Sequence, residues 1–192
     1  VHPSHLHQGD TLGNAFASHC SGISFRPINR LDKDTSGLCV VAKNAYSAKI
    51  LQSSLEKVYY AIASGEILDS GRIDLPISRT SDSIISREVS ENGQRAVTNF
   101  EIITRTDKYF LAKIFLETGR THQIRVHFAH IGCPLAGDDM YGGDCSDITE
   151  QALHCGEVKF LQPISGKEIQ LKAPIRADMK SLIEKNSSAK PQ

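Results

Sequence analysis

The sequence predicts an α+β protein with a large, mainly antiparallel mixed sheet flanked by helices. Two observations lead there. Runs rich in β-branched and aromatic residues outnumber helical segments. Most successive runs are joined by short polar turns, such as RTDK and PISGK, so neighbouring strands can pair as hairpins. The 192 residues suffice for one domain with a sizeable core.

In chain order, residues 1–10 hold three histidines, a proline and a glycine and read as loop. GDTLGNAFASHC starts a helix at Asp10 or Thr11, with Leu12, Ala15 and Phe16 on one side. LCVVAK, over 38–43, reads as a buried strand. Asn44 caps a helix over 45–57, in which Ala48, Leu51 and Leu55 recur at helical spacing. VYYAIASGEI, over 58–67, returns to strand. Residues 68–94 read as irregular hairpin and loop, with SGRID and ENG as turns. RAVTNFEIIT and YFLAKIFLE form a hairpin about RTDK. THQIRVHFAHIG has a helical pattern: Thr121 as cap, Ile124, Phe128 and Ile131 on one face, Gly132 and Pro134 as stop. ALHCGEVKF and EIQLKAP are strands, ADMKSLIEK is a short helix, and KNSSAKPQ frays.

Bulk properties narrow the function. Twenty-two basic residues balance 22 acidic ones, so a polyanion has to be gripped by a local patch. No apolar run reaches the roughly 18 residues of a membrane span. No signal peptide is visible. The five cysteines are odd in number, irregularly spaced and free of C-x-x-C, which implies free thiols in a reducing cytoplasm.

Three stretches can carry chemistry. In NRLDKDTSG an extended backbone points Arg30 and Asp32 the same way and Leu31 the other. Asp34, Thr35 and Ser36 then turn the chain, and Gly37 relaxes the backbone. In ETGRTHQIRVHFAHIG, Arg120 precedes the helix, His122 and Gln123 occupy its first turn, and Arg125 lies within it. In KVYYA, Lys57 and Tyr59 share a strand face. Singly, each has an ordinary structural explanation: a polar turn, a solvated helix face, a core aromatic. His122, His127 and His130 are separated by five and three, which does not make a zinc helix, so no metal is expected. There is no Gly-rich phosphate loop and no G-x-S-x-G.

Together the stretches resemble the RluA-type (RluA/RluD-like) pseudouridine synthases. RLDKDTSGLCVVAKN resembles the family's catalytic motif, KVYYA its K-x-Y-x-A segment, and TGRTHQIRVHFAHIGCPLAGDDMYG its third motif. LHCGEVKFLQPISGKEIQLKAP resembles its closing strands, and VHPS with GDTLGNA the tail of its first motif. The resemblance implies the pseudouridine synthase catalytic fold over 1–185, lacking the first-motif strand, and a flexible tail over 186–192. By the same resemblance Asp32 is the catalytic aspartate, Arg125 pairs with it, and Tyr59 stacks on the target base. Arg30 helps displace the nucleotide, and Arg120 is the competing partner for the aspartate. Asn29, Lys33, Arg120, His122 and Gln123 are carried over with Arg30 as RNA-contacting residues. The family more often has His where Asn29 stands; Asn keeps donor and acceptor capacity but cannot titrate.

The implied activity is isomerisation of uridine to pseudouridine in structured RNA, ribosomal large-subunit RNA first and tRNA second, in the cytoplasm. It demands no cofactor, no metal, no membrane and no more than a monomer. The competing readings are a non-catalytic RNA-binding relative and a nucleoside or glycoside hydrolase. The hydrolase lacks an obvious second carboxylate as general acid; Asp34 is nearest and better suited to bonding backbone.

Overall fold

The computed structural model describes residue 1 and residues 9–187. Most of the expected N-terminal loop, and the tail from 188 onward, lie outside the described residues. Helix α1, Leu12–His19, starts where expected: Thr11 and Asn14 cap each other's backbone in a reciprocal box. Short strands β1 (Arg26–Pro27), β2 (Ser36–Gly37) and β3 (Val41–Ala42) follow. Next come α2 (Ala45–Ser54), β4 (Glu56–Ala63), β5 (Ser70–Asp74), β6 (Ile77–Arg79), β7 (Arg87–Val89), β8 (Val97–Arg105) and β9 (Phe110–Leu116). The chain continues through α3 (Gln123–His130), a single 3-10 turn at Asp139–Tyr141, β10 (Leu153–Leu161), β11 (Glu168–Lys172) and α4 (Ala177–Ser187).

The main sheet runs β11-β10-β4-β9-β8-β5, all antiparallel, with β2 added parallel to the start of β10. The expected mixed, mainly antiparallel sheet is therefore present. Strand alternation divides its side chains between two layers. Tyr59, Ala61, Phe100, Phe110, Ala112 and Ile114 pack with Ile124 and Phe128 of α3. On the other face Ile62 and Tyr109 pack with Met179 and Leu182 of α4.

Four local expectations are corrected. LCVVAK is not a continuous strand: only Val41–Ala42 pairs there. The Asn29 side chain binds the Leu38 carbonyl and the Val40 N–H, backbone groups that a ladder would have used. Helix α2 stops at Ser54 because the chain is already paired as strand from Glu56. SGRID is an edge strand rather than a turn; Ile73 is buried, and Gly71 sits where a Cβ would lie 2.7 Å from the Phe100 ring. Finally, α3 is capped by His122 in the left-handed region (φ 56°), with no side-chain cap bond, and not by Thr121. Residues 123–128 are all buried, so this helix is enclosed rather than amphipathic.

Candidate active site

The site begins with the loop between β1 and β3. Asn29 ties its two ends together through bonds of 3.0 and 2.8 Å. Gln151 donates to the Lys33 carbonyl and to Thr35 Oγ1, Ser36 Oγ bonds His154 Nδ1 at 2.8 Å, and Arg176 donates to the Asp34 carbonyl at 3.2 Å. Leu38 N–H donates to the Cys155 carbonyl at 2.8 Å. Gly37 makes that docking possible: at φ +110° its missing Cβ would lie 2.2 Å from Cys155 O. Leu31 packs against the core, as expected of the anchoring residue. The loop is thereby held rigid without using the Asp32 carboxylate, which has no side-chain hydrogen bond or ion pair among the described residues.

Helix α3 supplies the opposite wall. Arg125 is buried, and its expected pairing with Asp32 is replaced by another. Its Nε and Nη2 each reach an oxygen of Asp138 at 2.7 Å, a two-pronged pair with both partners enclosed. The reason is steric as well as electrostatic. A guanidinium this deep needs a carboxylate in its own plane, and Asp138 arrives on the chain leaving α3. Burial opposes the charge on Arg125, yet Asp138, with a further contribution from Asp32, holds its pKa above the ordinary value. The face of the guanidinium lies over Tyr141, 5.0 Å from the ring centroid.

His122 joins this group. Its Nδ1 is 2.8 Å from the Tyr141 hydroxyl, which also accepts the Arg87 N–H at 3.0 Å. That arrangement directs the phenol proton to Nδ1 of a neutral imidazole. Burial, then Arg125 and Arg87, push the His122 pKa down, while Asp32 and Asp138 pull it up.

Tyr59 lies on β4 between Cys155 and Ile114, and only 7% of it is exposed. Burial, the Cys155 thiol and the Asp32 charge all raise its pKa, so it stays a neutral phenol. Lys57, two residues earlier on the same face, is lowered mainly by burial.

These elements enclose a hollow of about 390 Å³, lined by Arg30, Asp32, Lys57, Tyr59, Arg120 and Arg125 among others. Among the described residues that line it, Asp32 is the only carboxylate, and the other charged side chains are cationic. Ionised Asp32 is thus felt by Tyr59, His122 and Arg125 at once.

The other sequence-derived residues divide into two groups. Arg30 and Lys33 are exposed, Lys33 3.9 Å from Asp34. Arg120 is exposed at the rim, its Nε donating to the Arg95 carbonyl at 3.1 Å. Asn29 and Gln123 face inward. The Gln123 amide accepts from Thr118 and Arg120 N–H and donates to Val97 O and Thr98 Oγ1. Both amides are occupied by the scaffold, so they position the site rather than reach out of it. Sequence reasoning missed Asp138 and Tyr141. Their only signal in the sequence is the run GDDMYG at the end of the third motif. Among the described residues no cluster of three or more His, Cys, Asp or Glu is arranged to hold a metal.

A scaffold-locked aspartate thus stands over a hollow with cationic walls and an aromatic ring in one of them. A family model described as RNA pseudouridylate synthase matches residues 13–130, and the chain belongs to that family. It is 38% identical over 192 residues to a Bacillus subtilis protein described as uncharacterized RNA pseudouridine synthase YjbO, covering 95% of this chain and 68% of that one. A second Bacillus subtilis relative, uncharacterized RNA pseudouridine synthase YlyB, is 42% identical, with 96% and 65% covered. Ribosomal large subunit pseudouridine synthase D of Haemophilus ducreyi is 38% identical, with 96% and 64% covered. The chain therefore spans about two thirds of the length of these relatives. Among solved structures, human RNA pseudouridylate synthase domain containing 1 shares the fold, with a TM-score of 0.73, 22% identity, and 95% of this chain and 87% of that one covered.

Proposed function

We propose that this hollow converts uridine in RNA to pseudouridine, with Asp32 as the catalytic carboxylate. The observation that carries the reading is the state of Asp32: its loop is tied down on both sides, while the carboxylate itself has no partner among the described residues and lines the hollow. The reaction breaks the N1–C1′ bond, turns the base and rejoins it through C5. A carboxylate serves it at the sugar, either by attack at carbon or by removing a proton while stabilising cationic character. Both need an anion in a partly dry site, and Arg30, Lys57, Arg120 and Arg125 line the same hollow as the carboxylate.

The uridine has to leave its stack to enter, at a cost of a few kcal/mol. Tyr59 offers a flat neutral surface to the everted base, and base–aromatic stacking returns about 1–3 kcal/mol. Arg30 and Lys33, exposed on the same loop, are placed to meet phosphate or fill the vacated gap.

We further propose large-subunit ribosomal RNA as the substrate class, because relatives named for that activity match across most of this chain. The site of action is then the cytoplasm; no described helix is long and apolar enough to cross a membrane. We read the acting species as a monomer, since the described residues of one chain supply Asp32, Tyr59 and Arg125 to the same hollow.

The test is tritium release from RNA labelled at uridine C5. The wild-type chain is expected to release tritium without freeing uracil. Asp32→Asn is expected to abolish release and keep RNA affinity within a few-fold. Uracil release would mark a hydrolase, and binding with neither product a non-catalytic relative.

A further inference from the structure

A second hollow, of about 300 Å³, adjoins the first and shares Arg120 and Thr121 with it. Its other lining residues include Arg79, Arg87, Asn92 and Gln94, and no carboxylate is among the described residues that line it. The register of the small sheet sets Arg79 directly opposite Arg87. Side chains opposite one another in an antiparallel pair leave the same face, and like charges in that relation repel. Nearby arginines are arranged differently: Arg72 and Arg95 share Glu117 and Asp74. Arg79, Arg87 and Arg120 form no ion pair among the described residues.

Two of the three are also held in place without losing charge. Arg87 Nη1 donates to the Ile85 and Ser86 carbonyls at 2.7 and 2.8 Å, and Arg120 Nε to Arg95 O at 3.1 Å. The remaining N–H groups of each fork are left for another acceptor. The chain has no net positive charge to attract a polyanion, so its grip has to come from local clusters of this kind.

We propose that this second hollow is a phosphate subsite, which receives the RNA backbone phosphate adjoining the everted uridine. The proposal rests on reading the first hollow as the uridine site. A strand whose base enters that hollow passes over Arg120, the shared wall, and carries its next phosphate between Arg79 and Arg87. Phosphate matches guanidinium forks in shape and charge, and it relieves the repulsion that the register imposes. Asn92 and Gln94 add amide donors at the rim.

The experiment measures binding of a fluorescent oligouridylate to the intact chain across a salt series. Arg79→Gln is expected to flatten the log K against log salt slope by about 0.7, the value of one lost single-strand phosphate contact. Affinity at low salt is expected to fall roughly three- to tenfold. Arg79→Lys, which keeps the charge, is expected to retain the slope, and Lys167→Gln, on the β10–β11 turn, to change neither quantity. An unchanged slope in Arg79→Gln overturns the subsite. An equal loss in Lys167→Gln also overturns it, because the effect then belongs to the general field of the protein. Asp32→Asn is expected to keep the wild-type slope. Failure of the wild-type chain to release tritium would strike the isomerase reading alone, since the salt slope is read without turnover.

Discussion

Arg125 and Asp138 form a buried, two-pronged ion pair, with both N···O distances at 2.7 Å. The arginine expected to pair with Asp32 is thus engaged from behind, and Asp32 meets its field rather than its hydrogen bonds. Asp32 is left available to substrate, while Arg125 cannot swing away from the wall.

Asp138→Ala is expected to cost about 3–5 kcal/mol in urea unfolding, because it strands a buried charge. Replacing both members, Arg125→Met with Asp138→Leu, is expected to recover much of that stability without restoring tritium release. A single-variant cost below about 1 kcal/mol would mean that Arg125 finds water or another partner.

Asn29→Ala removes the two bonds that close the Asp32 loop. The expected loss is about 1–3 kcal/mol of stability from the buried backbone groups left unpaired. Turnover is expected to fall more than RNA affinity, because the carboxylate is displaced while the cationic walls remain. Equal loss in kcat and affinity, measured in single-turnover and binding assays, would contradict a positioning role.

Gly37→Ala places a Cβ against the Cys155 backbone at a positive φ. Strain of both kinds exceeds the usual gain of about 0.4–1 kcal/mol from stiffening the unfolded chain. The urea midpoint is expected to drop and tritium release to slow. An unchanged midpoint would show that the loop can dock on β10 without close backbone contact.

Three histidines shape the acid response. His122, His127 and His154 all have pKa values lowered from 6.5, each chiefly by burial. His127 Nε2 donates to the Leu75 carbonyl and its Nδ1 accepts from Thr98, so it is held neutral. A depressed folded-state pKa means that the unfolded chain binds more protons near pH 6. The stabilisation is fully present above the unfolded value and is lost as pH falls through the lowered folded values. Urea midpoints measured from pH 8 down to 5 are expected to be level at first and then fall below about 6.5. His127→Gln is expected to flatten part of that decline; stability rising on acidification would refute the neutral assignments.

Several parts of the molecule were legible in advance because their signals are local. Thr11 caps its helix through Asn14, three residues away. The β8–β9 hairpin closes over a few residues with matched apolar faces. Asp32 and Tyr59 could be singled out because short motifs kept them recognisable. The run over 38–43 misled, since its β-branched residues say strand while Asn29, about ten positions earlier, takes the backbone groups that a strand needs. SGRID misled in the opposite sense: its turn-like composition is overridden by the exposed edge of β8.

The sequence by itself determined the α+β class, the order of most elements, and the motif residues that carry the family resemblance. These depend on side-chain periodicity and on neighbours within a few positions. Tertiary structure alone decided that Arg125 belongs to Asp138, that Gln123 and Asn29 serve the scaffold, and that Arg79 faces Arg87 beside the hollow. Each of those facts is a choice among several possible partners for a charge or an amide. Such a choice is settled by which group shares the same buried space, a quantity that no stretch of sequence contains.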